Sequence, residues 1–145
     1  MNKRSAFTLI ELMIVVVILA VLAAAVVPRL AGRTQQARIS TAKMDISGNI
    51  SVALDLYELD NGRFPSSDQG LNALFAKPSS SPVPTNWNGP YLKKTPIDPW
   101  GQEYKYACPG THNNDYDLYS IGPDSNEGSE DDINNWDVEK EEKSE

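Results

Sequence analysis

This chain of 145 residues has one cysteine, one histidine and few cations, and each shortage closes a route. With Cys108 alone there is no intramolecular disulfide and no zinc site built on several thiolates. His112 is the only imidazole and lies in a Gly110-Thr111-His112-Asn113-Asn114 turn, where a surface role is expected. No nucleophile–base pair has a supporting context and no glycine loop for phosphate is present, so the chain does not read as an enzyme. Lys and Arg total 13 against 20 Asp and Glu, a formal net charge of −7. An acidic chain repels phosphates, which argues against a nucleic acid partner. The shortage of cations is sharpest late in the chain. There Asp115, Asp117, Asp124, Glu127, Glu130, Asp131, Asp132, Asp137 and a Glu-rich tail are answered only by Lys140 and Lys143. The length allows one small domain plus an appendage.

What the chain does have is a long apolar run near its start. Every residue from 12 to 27 is apolar, and Phe7, Leu9 and Ile10 bring the stretch close to the roughly 20 residues that cross a bilayer. Lys3 and Arg4 precede it, Glu11 interrupts it and Pro28 closes it. A secretory signal peptide, cut near Ala23-Ala24-Ala25, would explain the basic start and the run. It would not explain Glu11, because a carboxylate serves no purpose in a segment that is discarded. A plain membrane anchor with a positive cytoplasmic flank leaves Glu11 equally unexplained. The third reading is carried by Lys3-Arg4-Ser5-Ala6-Phe7-Thr8-Leu9-Ile10-Glu11, which resembles the type IV pilin-like signal. That resemblance implies a prepilin peptidase cut between Ala6 and Phe7, with Phe7 N-methylated and Glu11 the fifth residue of the mature chain. The residue before the cut is usually Gly in that family and is Ala6 here.

The chemistry of Glu11 points the same way. An ionised carboxylate at membrane depth is costly unless paired. A free amine at Phe7 of a neighbouring subunit would neutralise it and set the axial register between helices. The other physical solution is a Glu11 close enough to the membrane surface to stay hydrated.

Beyond Pro28 the pattern becomes amphipathic. Ile39, Ala42, Ile46, Ile50, Ala53 and Tyr57 recur at spacings of three and four, and Val52, Leu54, Leu56 and Leu59 widen the stripe. Gly32 and Gly48 weaken the helix locally, and Pro28 can kink it. Asp60-Asn61-Gly62 is a stop, with Asn61 or Gly62 taking a left-handed cap. One helix over about 7–59 would be on the order of 80 Å long. A short helical segment at 71–75, capped by Ser67 or Asp68, is expected next. Residues 77–84 are a Pro- and Ser-rich loop. Strands are expected at 91–92, 103–107 and 117–121, forming a small antiparallel sheet over the apolar helix face. Trp100, Tyr104, Tyr106 and Tyr119 are expected to pack in it. The fold class is α+β.

Several segments together resemble the major pseudopilins of bacterial type II secretion. They are Leu59-Asp60-Asn61-Gly62-Arg63-Phe64-Pro65, Asp68-Gln69-Gly70-Leu71, Gly89-Pro90-Tyr91-Leu92-Lys93-Lys94, Asp98-Pro99-Trp100-Gly101 and Tyr104-Lys105-Tyr106. The resemblance implies a cleaved leader at 1–6, a membrane and assembly helix at 7–28, a periplasmic domain at 29–136 and an acidic tail at 137–145. It implies a single-pass inner-membrane precursor that polymerises into a helical filament and drives export of folded proteins through the outer membrane. The implied partners are other copies of the chain, minor pseudopilins, prepilin peptidase and an inner-membrane platform with a cytoplasmic ATPase. A type IV pilin, a minor pseudopilin or a periplasmic calcium-binding module on a signal anchor are the alternatives.

The loop at 121–133 is the metal candidate. Calcium takes six to eight oxygens, carboxylates and carbonyls among them. Gly122, Pro123 and Gly128 allow sharp turns, but the spacing is not that of an EF-hand, since Gly128 and Ser129 fall where Asp or Asn and then Gly belong. A solvated acidic loop is the plain alternative. The pseudopilin resemblance implies calcium, with Asp124 and Asp131 as side-chain ligands, Asp132 as an alternative or outer group, and backbone carbonyls from Ile121, Asn126 and Ser129.

Overall fold

Helix α1 spans Leu9–Met44 and continues without interruption through Pro28. The structure, a computed structural model, describes residues 7–137. The leader 1–6, with Ala6 of the expected cut, and the tail residues 138–145 lie outside the described residues. The chain divides into two compact units, Met1–Ala37 and Arg38–Glu145.

In the first unit, the apolar side chains described on α1 face outward. Phe7 is 85% exposed, and Leu9, Ile10, the run at 12–19, Val21 and Leu22 are all at least half exposed. Among the described residues no helix is long and apolar enough to cross a membrane.

The second unit is built on the end of α1, a π turn over Asp45–Ile50 and helix α2 over Ser51–Asn61. Ala42, Ile46, Ile50, Ala53, Leu54 and Tyr57 are buried along one face, with Ile39 packed partly against them. The expected stripe was therefore right at these positions and too wide elsewhere. Val52, Leu56 and Leu59 are exposed, forming a second apolar stripe on α2 that the core does not use. Gly62 takes the left-handed cap at φ 72°, and its N–H donates to the Glu58 carbonyl at 2.7 Å.

A single 3₁₀ turn, Leu71–Leu74, follows. It has no side-chain cap. The Ser67 hydroxyl expected there instead bridges to residue 108, accepting from the Cys108 N–H at 2.9 Å and donating to the Cys108 carbonyl at 3.0 Å. Tyr91 and Leu92 are not a strand: both N–H groups donate to the Leu74 carbonyl, at 2.7 and 3.0 Å. One acceptor serving two consecutive donors makes a bend, since consecutive residues of a strand send their N–H groups to opposite sides.

The sheet is three-stranded and antiparallel, ordered β1 (Lys105–Ala107), β2 (Asp117–Ser120), β3 (Ile133–Asn134). Tyr106 pairs with Leu118, Tyr119 with Asn134, and Ser120 with Ile133. Alternation sends Tyr106, Leu118, Ser120 and Ile133 to one face. Leu118 and Ile133 join the core there with Tyr104, while Trp100 and Tyr106 pack against its margin. Tyr104 also donates to Asp45 of the π turn at 3.0 Å. Tyr119 departs from expectation. It points to the other face, where its ring meets Trp136 edge-on at 5.7 Å.

Candidate functional site

At the start of α1, Thr8 and Glu11 contact each other reciprocally. The Glu11 N–H donates to Thr8 Oγ1 at 3.3 Å, and Glu11 Oε2 accepts from the Thr8 N–H and hydroxyl, both at 3.4 Å. This is the capping-box arrangement, Thr-x-x-Glu, which satisfies N–H groups that have no partner inside the helix. The Thr-x-x-Glu spacing of this cap is legible in the sequence. Phe7 lies just outside the helix and is exposed.

The acidic loop begins where β2 ends. Ile121 is buried there, and Gly122 follows at φ 66°. A Cβ on Gly122 would stand 2.5 Å from the Asp131 carbonyl oxygen, so only glycine lets the two arms of the loop touch. Ser125 is the one non-glycine residue with positive φ among those described, at 61°. That left-handed residue turns the chain so that the Asn126 N–H meets Asp124 Oδ1 at 2.9 Å and the Asn126 amide meets Asp124 Oδ2 at 3.2 Å. The Asn126 N–H holds the Asp124 carboxyl below the usual carboxylate range, with the Asn126 amide and the Ser129 hydroxyl adding to the effect.

Three carboxylates gather about the Ser129 hydroxyl. Its Oγ lies 2.6 Å from Asp131 Oδ1, 3.3 Å from Asp124 Oδ1 and 3.3 Å from Asp132 Oδ1. A hydroxyl carries one proton, so it can donate to only one of them at a time. The remaining approaches set oxygen lone pairs and negative charge together without a proton between them. Asp132 is partly relieved by the Gly128 N–H, 2.8 Å from its Oδ2. Such an all-oxygen donor set suits a hard cation such as calcium. The carboxylates meet around a hydroxyl and not at one point: among the described residues no group of three or more His, Cys, Asp or Glu is arranged to hold a metal. The side chains of Asp124, Ser129, Asp131 and Asp132 are thus brought together, Asn126 supports Asp124, and Ile121 lies at the loop's root.

Two further features are built on buried carboxylates. Asp117, which is 3% exposed, accepts from the N–H groups of Thr111, His112 and Asn113 and from the Thr111 hydroxyl. Burial opposes its ionisation, but these donors outweigh burial and hold the carboxyl far below the usual range. His112 is half exposed, as a surface residue should be, but its Nδ1 lies 3.0 Å from Asp117 and its ring stacks on Trp136 at 4.0 Å. The second feature is the turn at 98–102. Asp98 is buried and accepts from the Trp100 and Gln102 N–H groups and the Ser120 hydroxyl. A carboxylate followed by Pro-Trp-Gly is a readable turn signal, but its link to the acidic loop is not, because Ser120 and Ser125 lie far along the chain.

Known families match the chain in two successive stretches. Residues 29–136 match the family model of Type II secretion system (T2SS), protein G. Residues 1–27 match the prokaryotic N-terminal methylation motif. The type II secretion system core protein G of Pseudomonas aeruginosa is 54% identical over 140 residues, covering 94% of this chain and 97% of that one. The protein of the same name from Escherichia coli strain K12 is 45% identical over 143 residues, covering 98% of this chain and 97% of that one. The crystal structure of the major pseudopilin from the type 2 secretion system of enterohaemorrhagic Escherichia coli superposes with a TM-score of 0.68 at 39% identity. It covers 75% of this chain and 91% of that one. With its helix packed on a three-stranded sheet and its sequence matched along nearly the whole length, the chain belongs to the type II secretion system protein G family.

Proposed function

We propose that this chain is the repeating structural subunit of a type II secretion pseudopilus. The observation that carries this reading is the union in one chain of a methylation motif at 1–27 and a protein G domain at 29–136. In this reading the precursor sits in the inner membrane through residues 7–28, with residues 29–136 in the periplasm. Prepilin peptidase cuts between Ala6 and Phe7, and Phe7 is N-methylated. Subunits then leave the bilayer and stack helix on helix. A cytoplasmic ATPase at an inner-membrane platform supplies the energy, and the growing filament, with minor pseudopilins, moves folded cargo toward the outer membrane.

The exposed apolar side chains from Phe7 to Leu22 support this assembly step. Each such side chain gains about 1.5–3 kcal/mol when it leaves water, so a row of them requires either lipid or other helices. Glu11 makes the exchange specific by pairing with the Phe7 amine of a neighbouring copy. The test is the mass of the mature N-terminus together with filament formation. A methylated Phe7 and filaments are expected. A chain beginning near Val26 would instead mark a discarded signal peptide and overturn the reading.

In the same reading the acidic loop holds calcium. Asp124 and Asp131 would give side-chain oxygens, Asp132 a further or outer one, and Ile121, Asn126 and Ser129 backbone carbonyls. Bound there, calcium would neutralise the crowded carboxylates. The loop's own part is to gather them: Gly122 permits the close approach, Ser125 makes the turn, and Asn126 and Gly128 hold Asp124 and Asp132 by N–H groups.

A further inference from the structure

The turn at 98–102 is connected to the acidic loop at two separate points. Asp98 Oδ1 accepts from the Trp100 N–H at 3.0 Å and the Gln102 N–H at 2.8 Å, while the Asp98 N–H donates to the Gln102 carbonyl at 2.7 Å. These bonds close a rigid turn with Gly101 at φ 92°. Its second oxygen, Oδ2, accepts from the fully buried Ser120 hydroxyl at 2.7 Å, and that hydroxyl accepts from the Gly122 N–H at 3.2 Å. Gly122 is the residue pressed against Asp131. The first connection thus runs Asp98, Ser120, Gly122, Asp131. The second leaves from the other end of the turn: the Gln102 amide donates to Ser125 Oγ at 2.7 Å. Ser125 is the left-handed residue directly after Asp124.

We propose that Asp98, Gln102, Ser120 and Ser125 are positioning residues for the cation site, one turn fixing the first arm of the loop at two points so that Asp124 is held in place and Gly122 stays close against Asp131 on the second arm. The inference rests on the calcium reading of the loop. Its physical content is preorganisation. Two carboxylates repel each other, so a free loop would spread them before a cation arrived, and the affinity would fall by the cost of bringing them back. The tethers resist that spreading while no cation is bound. The Gln102–Ser125 bond is exposed and lies outside the hydrophobic core. It can therefore be removed without touching what holds the fold together.

The experiment is a calorimetric titration of calcium chloride into the full chain in detergent micelles, with melting curves recorded in EDTA. The proteins are wild type, Gln102→Ala, Ser125→Ala and the double variant. Each single variant is expected to bind calcium about fivefold more weakly, the loss of one ordinary hydrogen bond. The double variant is expected to bind no more weakly than either single one, because both changes delete the same bond. The EDTA melting temperature of Gln102→Ala should equal that of wild type. Wild-type affinity in Gln102→Ala, or losses that add in the double variant, would overturn the positioning role. A fall in metal-free stability with the affinity unchanged would also overturn it, since that is what a purely structural bond gives. A wild-type chain that takes up no calcium overturns the calcium reading itself, and the same titration tells that failure from the others. Because Ser120 is fully buried, the exposed pair and not Ser120→Ala carries the test.

Discussion

Glu11 is asked to do two things with one carboxylate. It accepts from Thr8 at the first turn of α1, and in an assembled filament it would face a neighbour's amine. Glutamine serves a capping box nearly as well as glutamate but carries no charge. Glu11→Gln and Glu11→Ala are therefore expected to be inserted and processed alike, and both to fail in filament assembly. Filaments from Glu11→Gln at wild-type yield would show that the cap and not the charge matters. Asp117 poses the opposite case, a carboxylate whose work is wholly internal. Asp117→Asn exchanges an acceptor of four donors for a group that repels some of them, and is expected to lower stability by about 2 kcal/mol at neutral pH. The sign of the pH dependence follows from the lowered pKa. The stabilisation is fully present above the unfolded value near 3.9, and is lost as pH falls below about 4. Melting curves of the two proteins should thus converge in acid. A gap that stays constant from pH 7 to pH 3 would refute it.

Along the helix, the spacing of the core explains the π turn. Ala42, Ile46 and Ile50 follow at steps of four, which overshoot a 3.6-residue turn and would carry the stripe around the helix. A wider turn over Asp45–Ile50 returns Ile46 and Ile50 to the core face, after which Ala53, Leu54 and Tyr57 resume the ordinary period. Val52, Leu56 and Leu59 are spaced just as well for a helix, so period alone could not say which stripe is buried. The sheet's position made that choice. Two glycines of this element separate space from backbone conformation. A Cβ on Gly48 or Gly62 would meet nothing within 4 Å, but only Gly62 has positive φ. Gly48→Ala is expected to raise stability by about 0.5–1 kcal/mol. Gly62→Ala is expected to lower it by about 1–2 kcal/mol through left-handed strain. Denaturant midpoints of the two variants should move in opposite directions, and a shift of the same sign in both would refute this account. The strands show the same division. The alternating aromatics of β1 and the strand-forming run of β2 were readable. The third strand, Ile133–Asn134, was not, because two residues carry no period and it pairs only once β2 is in place.

At the scale of the molecule, a domain with one cysteine has no disulfide to tie its long C-terminal loop to the sheet. A cation between Asp124 and Asp131 would do that work, and anything that binds the folded state alone raises its stability. Calcium at about 100 times its dissociation constant contributes about 2.7 kcal/mol, or roughly 10 °C for a domain of this size. EDTA is expected to lower the melting temperature of the full chain in detergent by that order, and Asp124→Ala to abolish the difference between curves with and without chelator. Identical curves for the wild type would remove calcium from the reading. The apolar run, the helix stop at Gly62, the loop at 77–84 and the two longer strands were legible in order along the chain, since each depends on neighbours within a few residues. Three-dimensional packing settled what depends on partners dozens of residues away. It chose the buried stripe on α2, turned Tyr119 away from the core, and brought Asp98 and Gln102 to Ser120 and Ser125, at the start of the loop that gathers Asp124, Asp131 and Asp132 around one serine. A local pattern records which residues favour burial or charge. It cannot record which other segment will supply the opposing surface, because that is settled only when the whole chain closes on its core.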